Sequence, residues 1–396
     1  MSENPFAILT REPVPDSCLD VEAVIAGGRA RVRRRRGASV VAAAVAVALV
    51  VGAVAVAQQR PGPRPDPVGP APSPSQSPSS RCAPAPLTQL GPSVYVTVDA
   101  SGRYIVGIPD TADGTVILYG PGGTQTLTTV PRLLPDSVNG SGTIIGNVAN
   151  DVDADGYVVD GDTTTALGKP PGALNVRANG INDAGDIVGD ARMPGGKFRA
   201  VVWRHGKWNQ PQLLSTPTGG QAGGQSAAHG ISTDGRIVGS VGNGAQPYLW
   251  QADGTGQALP TPQGKPGGLA ARVVGDWADG PVDYLAGTTV RPSGRRVATA
   301  PLSWARWNLR TGEVREVQTG PQSAGASGLL PDGTVVLNVT DGTTLWTETG
   351  TTKLPVPAGY DRTMVTGAGS NGLLVGTALQ RNGKSAPFRW ACHQAR

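Results

Sequence analysis

The chain has 396 residues, of which 57 are glycine and 35 are proline, only three are phenylalanine, and 16% are charged. This composition excludes an ordinary helical or α/β enzyme, because strong helix formers are scarce and the abundant valine, threonine and glycine favour short strands and turns. The net charge of +5 does not indicate a nucleic-acid partner. Seven arginines lie before residue 37, and the positive and negative charges of the rest of the chain are close to balanced.

A single membrane anchor is predicted at residues 38–57, which are Ala, Val, Leu, Gly and one Ser without a charge. At about 1.5 Å per residue, this stretch just spans a hydrocarbon core of about 30 Å. The arginines directly before it place residues 1–37 in the cytoplasm and the rest of the chain outside the cell, so the lipid bilayer is one expected partner. The alternative is a cleaved signal peptide that ends at Ala57.

A stalk follows the anchor. Residues 58–81 are rich in Pro and Ser and include PGPRPDPVGPAPSPSQSPSS, a composition that cannot bury a core and prefers an extended polyproline conformation. The folded domain is therefore expected at residues 82–396.

A repeated unit fills this domain. A turn rich in Asp, Asn, Ser and Gly, followed by apolar residues and usually a glycine, occurs seven times: DASGRYIVG, NGSGTIIG, NDAGDIVG, STDGRIVG, WADGPVDYLAG, LPDGTVVL and GSNGLLVG. The residues that end the units, here called the anchor positions, are Gly107, Gly146, Gly189, Gly239, Gly287, Leu337 and Gly376. Their spacing of about 39 to 50 residues is that of propeller blades, and each turn predicts a hairpin.

Two further features complete the predicted blade. Five units carry a third strand that ends in tryptophan, at Trp203, Trp250, Trp304, Trp346 and Trp390, whereas VILYG and YVVDG hold this place in the first two units. A fourth strand follows most units, as in TQTLTTVP and TTKLPVP, and its closing proline suits an edge strand. The sequence therefore predicts an all-β, seven-bladed β-propeller of four-stranded antiparallel blades.

The units resemble those of the extracellular HAF-repeat family, which read approximately Gly-Ile-Asn-Asp, a glycine turn, Val-Gly and then His-Ala-Phe-x-Trp. GINDAGDIVG with FRAVVW is the most similar unit, although the histidine of the family name is absent from every unit. The resemblance covers about residues 92–396. It implies a repeat domain at the cell surface and does not imply a reaction.

Two cysteines stand at the ends of the predicted propeller. Cys82 opens it, and Cys392 lies two residues beyond Trp390. The seventh unit has room for only three strands, while CAPAPLTQL at the other end of the domain resembles a fourth strand. Because disulfides persist outside the cell, we expect a Cys82–Cys392 bond to lock this closure, with residues 86–90 as the outer strand. The alternative is two unpaired thiols.

One acidic loop is a candidate calcium site. DVDADGYVVDGD places Asp151, Asp153 and Asp155 in alternation before Gly156, with Asp162 at the twelfth position. Ca²⁺ prefers several hard oxygens from a tight loop with a glycine at its sixth position. An EF-hand has Glu at the twelfth position, so a solvated acidic turn is the alternative. Ca²⁺ is the only cofactor that the sequence suggests.

No nucleophile motif indicates catalytic residues. The polar residues of the third unit, Asn182, Asp183 and Asp186, are interpreted as turn formers. Trp277 lies in GDWADGPVDY, which is interpreted as an insertion in the turn of the fifth unit. A loop-borne aromatic side chain is suited to binding, so Trp277 is the candidate for a ligand face.

Three functions fit this organisation. The first is a membrane-tethered binding or interaction module for a protein, a peptidoglycan-linked molecule or a glycan. The second is a hydrolase or lyase that acts on cell-wall or extracellular sugar in the central channel. The third is transmembrane signalling, because the cytoplasmic stub, residues 1–37, contains a candidate short helix in DSCLDVEAVIAGG. The order of stub, membrane anchor, stalk and propeller also looks like that of actinobacterial membrane proteins.

The anchor hypothesis predicts a specific proteolysis pattern. Protease added to intact cells should release a fragment that begins in the stalk and should leave residues 1–57 protected, because the bilayer and the cytoplasm shield them. Mass spectrometry of both fractions measures this. A soluble mature protein that starts at Gln58 would contradict the anchor and support the signal peptide.

Overall fold

The computed structural model describes the propeller part of the chain. The described residues are 82–91, 93–109, 114–149, 154–217, 224–242, 246–263, 267–282, 288–290, 296–298, 303–317 and 323–392. The predicted cytoplasmic stub (1–37), membrane anchor (38–57) and stalk (58–81) lie outside the described residues. Within the described ranges, no helix is both long and apolar enough to cross a bilayer.

The strands form seven four-stranded antiparallel sheets, which confirms the predicted seven-bladed propeller. Blade 1 contains β2 (Ser93–Val98), β3 (Ile105–Pro109), β4 (Thr115–Gly120) and β5 (Gly123–Thr128). Blade 2 contains β6 (Leu133–Val138), β7 (Ile144–Ala149), β8 (Ala154–Asp160) and β9 (Thr163–Ala166). Blade 3 contains β10 (Asn175–Ile181), β11 (Ile187–Arg192), β12 (Phe198–Trp203) and β13 (Gln212–Leu213). Blade 4 contains β14 (Ser226–Ile231), β15 (Ile237–Val241), β16 (Gln246–Trp250) and β17 (Gly256–Ala258).

The remaining three blades complete the ring. Blade 5 contains β18 (Arg272–Val274), β19 (Trp277–Val282), β22 (Ser303–Asn308) and β23 (Val314–Val317). A two-stranded hairpin, β20 (Thr288–Val290) and β21 (Arg296–Ala298), is inserted between β19 and β22. Blade 6 contains β24 (Ser323–Leu329), β25 (Val335–Val339), β26 (Gly342–Thr347) and β27 (Gly350–Lys353). Blade 7 contains β28 (Arg362–Ala368), β29 (Leu373–Leu379), β30 (Ser385–Cys392) and, from the other end of the domain, β1 (Cys82–Pro86).

The ends of the domain close the ring as predicted. Strand β1 is the outer strand of blade 7 and pairs antiparallel with β30, with Cys82 directly opposite Cys392. These two cysteines form a disulfide. The predicted bounds of the outer strand were wrong by several residues, because Thr88–Leu90 forms a 3-10 turn after β1 has ended.

The apolar core lies between blades. The buried apolar residues of the described chain form seven clusters, and each cluster joins residues of two neighbouring blades. In one of them, Ile145 and Val158 of blade 2 pack with Ile187 and Trp203 of blade 3. No blade therefore buries its apolar faces without both of its neighbours.

Tryptophans join the outer parts of neighbouring blades. In four blades a buried indole N–H donates to a carbonyl oxygen that follows the outer strand of the preceding blade. The pairs are Trp203 to Gly168 at 2.8 Å, Trp250 to Ser215 at 2.7 Å, Trp307 to Pro260 at 2.6 Å and Trp390 to Pro355 at 3.0 Å. In blade 5 the repeated tryptophan is therefore Trp307, and the prediction of Trp304 was wrong.

The second strand of blade 5 also differs from the prediction. The segment interpreted as a turn insertion forms β19, and Gly280 occupies the anchor position, opposite Ala305 of β22. The predicted anchor residue, Gly287, lies outside the described residues. The misassignment arose because WADGPVDYLAG contains two glycines at plausible positions.

The anchor glycines have a steric cause. At Gly146, Gly189, Gly239 and Gly376, a Cβ atom would lie far inside van der Waals contact with a carbonyl oxygen of the innermost strand of the same blade. At Gly280 the Cβ would meet the carbonyl oxygen of Leu269, which lies shortly before β18. In blade 6 the anchor position holds Leu337, and there the inner strand has an additional register shift next to Gly325, whose φ is 119°. The two strands thus approach too closely for two ordinary residues to face each other.

This steric limit predicts a costly substitution. Gly239→Ala should lower the free energy of unfolding by about 2 to 3 kcal/mol, because the new methyl group collides with the backbone oxygen of Ala227. The matched control is Gly122→Ala, where nothing lies within 4 Å of the added Cβ and the backbone φ is not positive. Chemical denaturation of both variants measures the difference, and equal stability of the two would contradict the steric explanation.

Candidate functional site

A cavity of about 260 Å³ lies at the propeller axis. Residues of all seven blades line it, and nearly all of them belong to the innermost strands. The volume is enough for roughly nine water molecules, at about 30 Å³ each. This cavity is where the fold brings side chains from every blade together.

β-Bulges direct polar side chains into this cavity. In five blades the inner strand carries, third from its end, an extra residue that has no partner in the second strand. These residues, here called the axial ring, are Asp136, Asn179, His229, Ser327 and Thr366. All five line the cavity. Bulges commonly re-aim a side chain next to a functional site, and here they replace strict alternation with a polar ring.

Polar side chains near the axis also join one blade to the inner strand of the next. Five donors each bond a carbonyl oxygen in the inner strand of the following blade. The pairs are Asn147 to Ala178 at 2.7 Å, Asn179 to Ala228 at 2.8 Å, Arg272 to Ala326 at 3.0 Å, Asn338 to Val365 at 2.8 Å, and Thr366 to Val96. Much of the polarity near the axis is therefore structural.

Asp136 is the member of the ring with an open carboxylate. One of its oxygens accepts a hydrogen bond from Asn147, and the carboxyl remains accessible from the cavity. Surrounding protein desolvates the group and raises the pKa of Asp136 to about 6, although the Asn147 hydrogen bond and the charge of Arg177 oppose the rise. The carboxyl thus changes charge near neutral pH.

His229 is the second ring residue that structural bonds do not account for. Its Nε2 atom is buried and has no hydrogen-bond partner within the described chain. Burial lowers the pKa of His229, and the charge of Arg177 adds to this effect while the charge of Asp190 opposes it. The imidazole is therefore neutral at pH 7, and its buried nitrogen is the kind of unsatisfied polar group that needs a functional or structural reason.

Blade 5 contributes an ion pair in place of a bulge. The guanidinium of Arg272 donates to both carboxylate oxygens of Asp279, at 3.0 and 2.7 Å, and the side chain of Asp279 is fully buried. Asp279 occupies a position that holds Val188 in blade 3 and Val238 in blade 4. Arg272, the one Lys or Arg among the described residues that line the cavity, is thus neutralised by its partner.

Of the predicted calcium residues, the two that the structure describes, Asp155 and Asp162, are not brought together. Asp151 and Asp153 lie outside the described residues. Asp155 lies near the start of β8 and pairs with Lys169 at 2.8 Å, whereas Asp162 lies in the turn after β8. At about 3.3 Å per residue, the strand separates these two carboxylates by about 15 to 20 Å, so Asp155 and Asp162 cannot share one ion. Within the described ranges, no three His, Cys, Asp or Glu residues form a metal-binding group.

Trp277 does not lie in a turn. It is the first residue of β19, and the guanidinium of Arg306 lies 4.3 Å from the centre of its ring. The same guanidinium lies 5.1 Å from the ring of Trp346. Trp277 therefore packs between blades 5 and 6, and the structure does not place it with the axial ring.

The turn residues of the third unit act as predicted. Asn182 accepts a hydrogen bond from the backbone N–H of Asp186 at 3.0 Å and donates to the carbonyl oxygen of Ser232 in the next blade at 3.2 Å. Asp183 accepts from the backbone of Gly140 in the preceding blade at 2.8 Å. Asp186 pairs with Arg204 at 2.7 Å. These carboxylates stabilise turns and blade contacts and do not form a chemical site.

Sequence analysis did not identify the axial ring. Its signal was present as a polar residue directly before a small residue and the turn, as in NGIND, HGIST and SGLLPD. A period-two strand pattern cannot show that this residue is bulged, because the extra residue only becomes visible in the register of the strand pair.

Solved structures share the propeller architecture, whereas no protein-family model and no curated protein sequence match the chain. A streptogramin B lyase aligns with a TM-score of 0.49 and 11% identity, over 80% of this chain and 100% of that chain. Virginiamycin B lyase from Staphylococcus aureus aligns with a TM-score of 0.46 and 11% identity, over 78% and 98%. The propeller domain of the Trilobed protease from Pyrococcus furiosus aligns with a TM-score of 0.48 and 12% identity, over 76% and 97%. At these values the similarity carries no conclusion about activity.

The raised pKa of Asp136 predicts a pH-dependent stability difference. The folded state holds this proton up to about pH 6, whereas the unfolded chain releases it near pH 3.8, the ordinary pKa of an aspartate. This contribution to stability is therefore present below about pH 4 and lost as pH rises through 6, with a slope of at most about 1.4 kcal/mol per pH unit.

Asp136→Asn keeps an acceptor for Asn147 and removes the titration. The variant should match the wild type at pH 4 and should be more stable at pH 7, as measured by denaturation across this range. A stability difference that does not change with pH would contradict the assigned pKa.

Proposed function

We propose that this chain is a membrane-tethered, extracytoplasmic propeller that binds a small polar ligand in its axial cavity. One observation supports the binding site above all others: bulges in five blades direct polar side chains into one cavity, where Asp136 and His229 retain unused hydrogen-bonding capacity. Concave sites with a few convergent polar groups and a shifted pKa are typical of ligand binding.

The size of the cavity limits the ligand. About 260 Å³ is below the usual range for drug-sized molecules and fits one sugar or amino-acid residue. We therefore propose a free small molecule, or the terminal residue of a peptidoglycan-linked molecule, glycan or protein, as the ligand. The tether is supported by the charge-free residues 38–57 and the arginines before them.

A catalytic role on sugar is the second candidate, and one observation favours it. A carboxyl with a pKa of about 6 and a neutral imidazole line the same cavity, and such groups suit general acid–base chemistry near neutral pH. Conversion of a bound compound, lost in Asp136→Asn, would distinguish catalysis from binding alone.

Filling the cavity tests the proposed site. Ser327→Trp should place an indole in the cavity and abolish ligand binding, whereas Thr349→Trp makes the same kind of change on an exposed turn of blade 6. Melting temperatures are measured with a panel of neutral, cationic, anionic and zwitterionic compounds at millimolar concentration. A ligand at about 100 times its Kd stabilises the folded state by about 2.7 kcal/mol.

The proposal predicts that at least one compound stabilises the wild type and Thr349→Trp but not Ser327→Trp. Cooperative melting of Ser327→Trp without ligand shows that the variant is folded, and Asp136→Asn serves as a second site variant if it is not. If every stabilising compound acts equally on all variants, or if none acts on the wild type, the cavity is not the binding site.

A further inference from the structure

The side-chain donors of Asn179 and Thr366 are already in use. The side-chain nitrogen of Asn179 donates to Ala228 at 2.8 Å and to Asp190 at 3.0 Å. Both partners are acceptors, so they fix the orientation of the amide and leave its Oδ1 without a donor in the described chain. Asn179 therefore presents lone pairs, not N–H groups, to any ligand.

Other ring residues show the same bias. The hydroxyl of Thr366 donates to the carbonyl oxygen of Val96, which leaves an oxygen lone pair. Asp136 has one oxygen bonded to Asn147 and one that receives no hydrogen bond from the described residues. The axial ring is thus rich in acceptors that lack donors.

The net charge of the cavity favours a cationic ligand, as its open acceptors do. Asp136 is ionised above about pH 6, and His229 is neutral because burial lowers its pKa. Arg272 is held in an ion pair with the fully buried Asp279. The groups that line the cavity therefore sum to one negative charge at pH 7 and above.

We infer that the axial cavity binds its ligand through a protonated amine, which donates a hydrogen bond to Asp136 in a cavity where Asn179 and Thr366 offer further acceptors. This inference rests on the proposed function and specifies its ligand class. Hydrogen bonds from an ammonium group to a carboxylate are roughly twice as strong as neutral ones, so Asp136 is expected to contribute most of the selectivity.

A metal ion fits the cavity less well. Hard cations need six to eight oxygens at about 2.0 to 2.6 Å, usually with several carboxylates among them. Asp136 is the single carboxylate of the axial ring, and the space is wide enough for roughly nine water molecules. An ammonium group on a larger molecule uses both the acceptors and the remaining volume.

Three small probes that differ in one group test the inference. They are 2-aminoethanol, 1,2-ethanediol and glycolate, titrated calorimetrically into the full chain in lipid nanodiscs at pH 8. We expect 2-aminoethanol to bind at least about tenfold more tightly than the other two probes, a difference of about 1.4 kcal/mol. Asp136→Asn should remove this preference, and Asp253→Asn, in an exposed turn of blade 4, should retain it.

A second measurement varies pH. Affinity for 2-aminoethanol should fall by up to about tenfold per pH unit below pH 6, because Asp136 gains a proton there while the amine remains charged. The neighbouring Tyr95 stays neutral in this range, since burial raises its pKa. Protonation of His229 at lower pH would add to the loss.

The outcomes separate this inference from the proposed function. Tighter binding of 1,2-ethanediol or glycolate would overturn the amine and leave the cavity as a binding site. If potassium or calcium chloride competed with 2-aminoethanol for the cavity at the same affinity, the cavity would be a general cation site. This result would also overturn the amine. Failure of all three probes overturns the amine, whereas the proposed function fails only if the cavity-filling variant responds to every compound as the wild type does.

Discussion

The propeller depends on how closely the second strand of a blade approaches the innermost strand. At five anchor glycines, the space for a Cβ atom is occupied by a carbonyl oxygen of the inner strand or, at Gly280, of Leu269 shortly before that strand. Four of those inner strands also carry a bulge next to this contact, and the bulge turns one side chain toward the axis. The repeated glycine therefore sets the shape of the sheet, and the sheet sets which residues line the cavity.

Neighbouring blades are held together at two distances from the axis. Near the axis, amide, hydroxyl and guanidinium groups donate to carbonyl oxygens of the next inner strand. Farther out, four indole N–H groups donate to carbonyl oxygens of the preceding blade. Apolar clusters fill the space between. Because each donor reaches into another blade, an isolated blade would leave these carbonyl oxygens unsatisfied, and the ring is expected to unfold cooperatively.

The fold was largely predictable because turn glycines, apolar pairs and closing prolines recur at a blade-like spacing. Blade 5 was misassigned in part, since Gly280 and Gly287 both follow acceptable turns and Trp304 and Trp307 lie three residues apart. The cavity residues were not predicted, because a bulge depends on strand pairing that sequence periodicity does not contain. Asp136 and His229 gained their shifted pKa values from burial at the axis, which only the closed ring creates.

The disulfide of blade 7 also determines how the domain responds to mechanical load. Force applied to the chain before Cys82 meets the Cys82–Cys392 bond at the first residue of β1, before it can peel that strand from β30. The tension passes covalently to the other end of the domain, and residues 82–392 form a closed covalent loop that is not pulled. Tension on the chain that precedes Cys82 therefore leaves the pairing of the strands and the shape of the cavity unaffected.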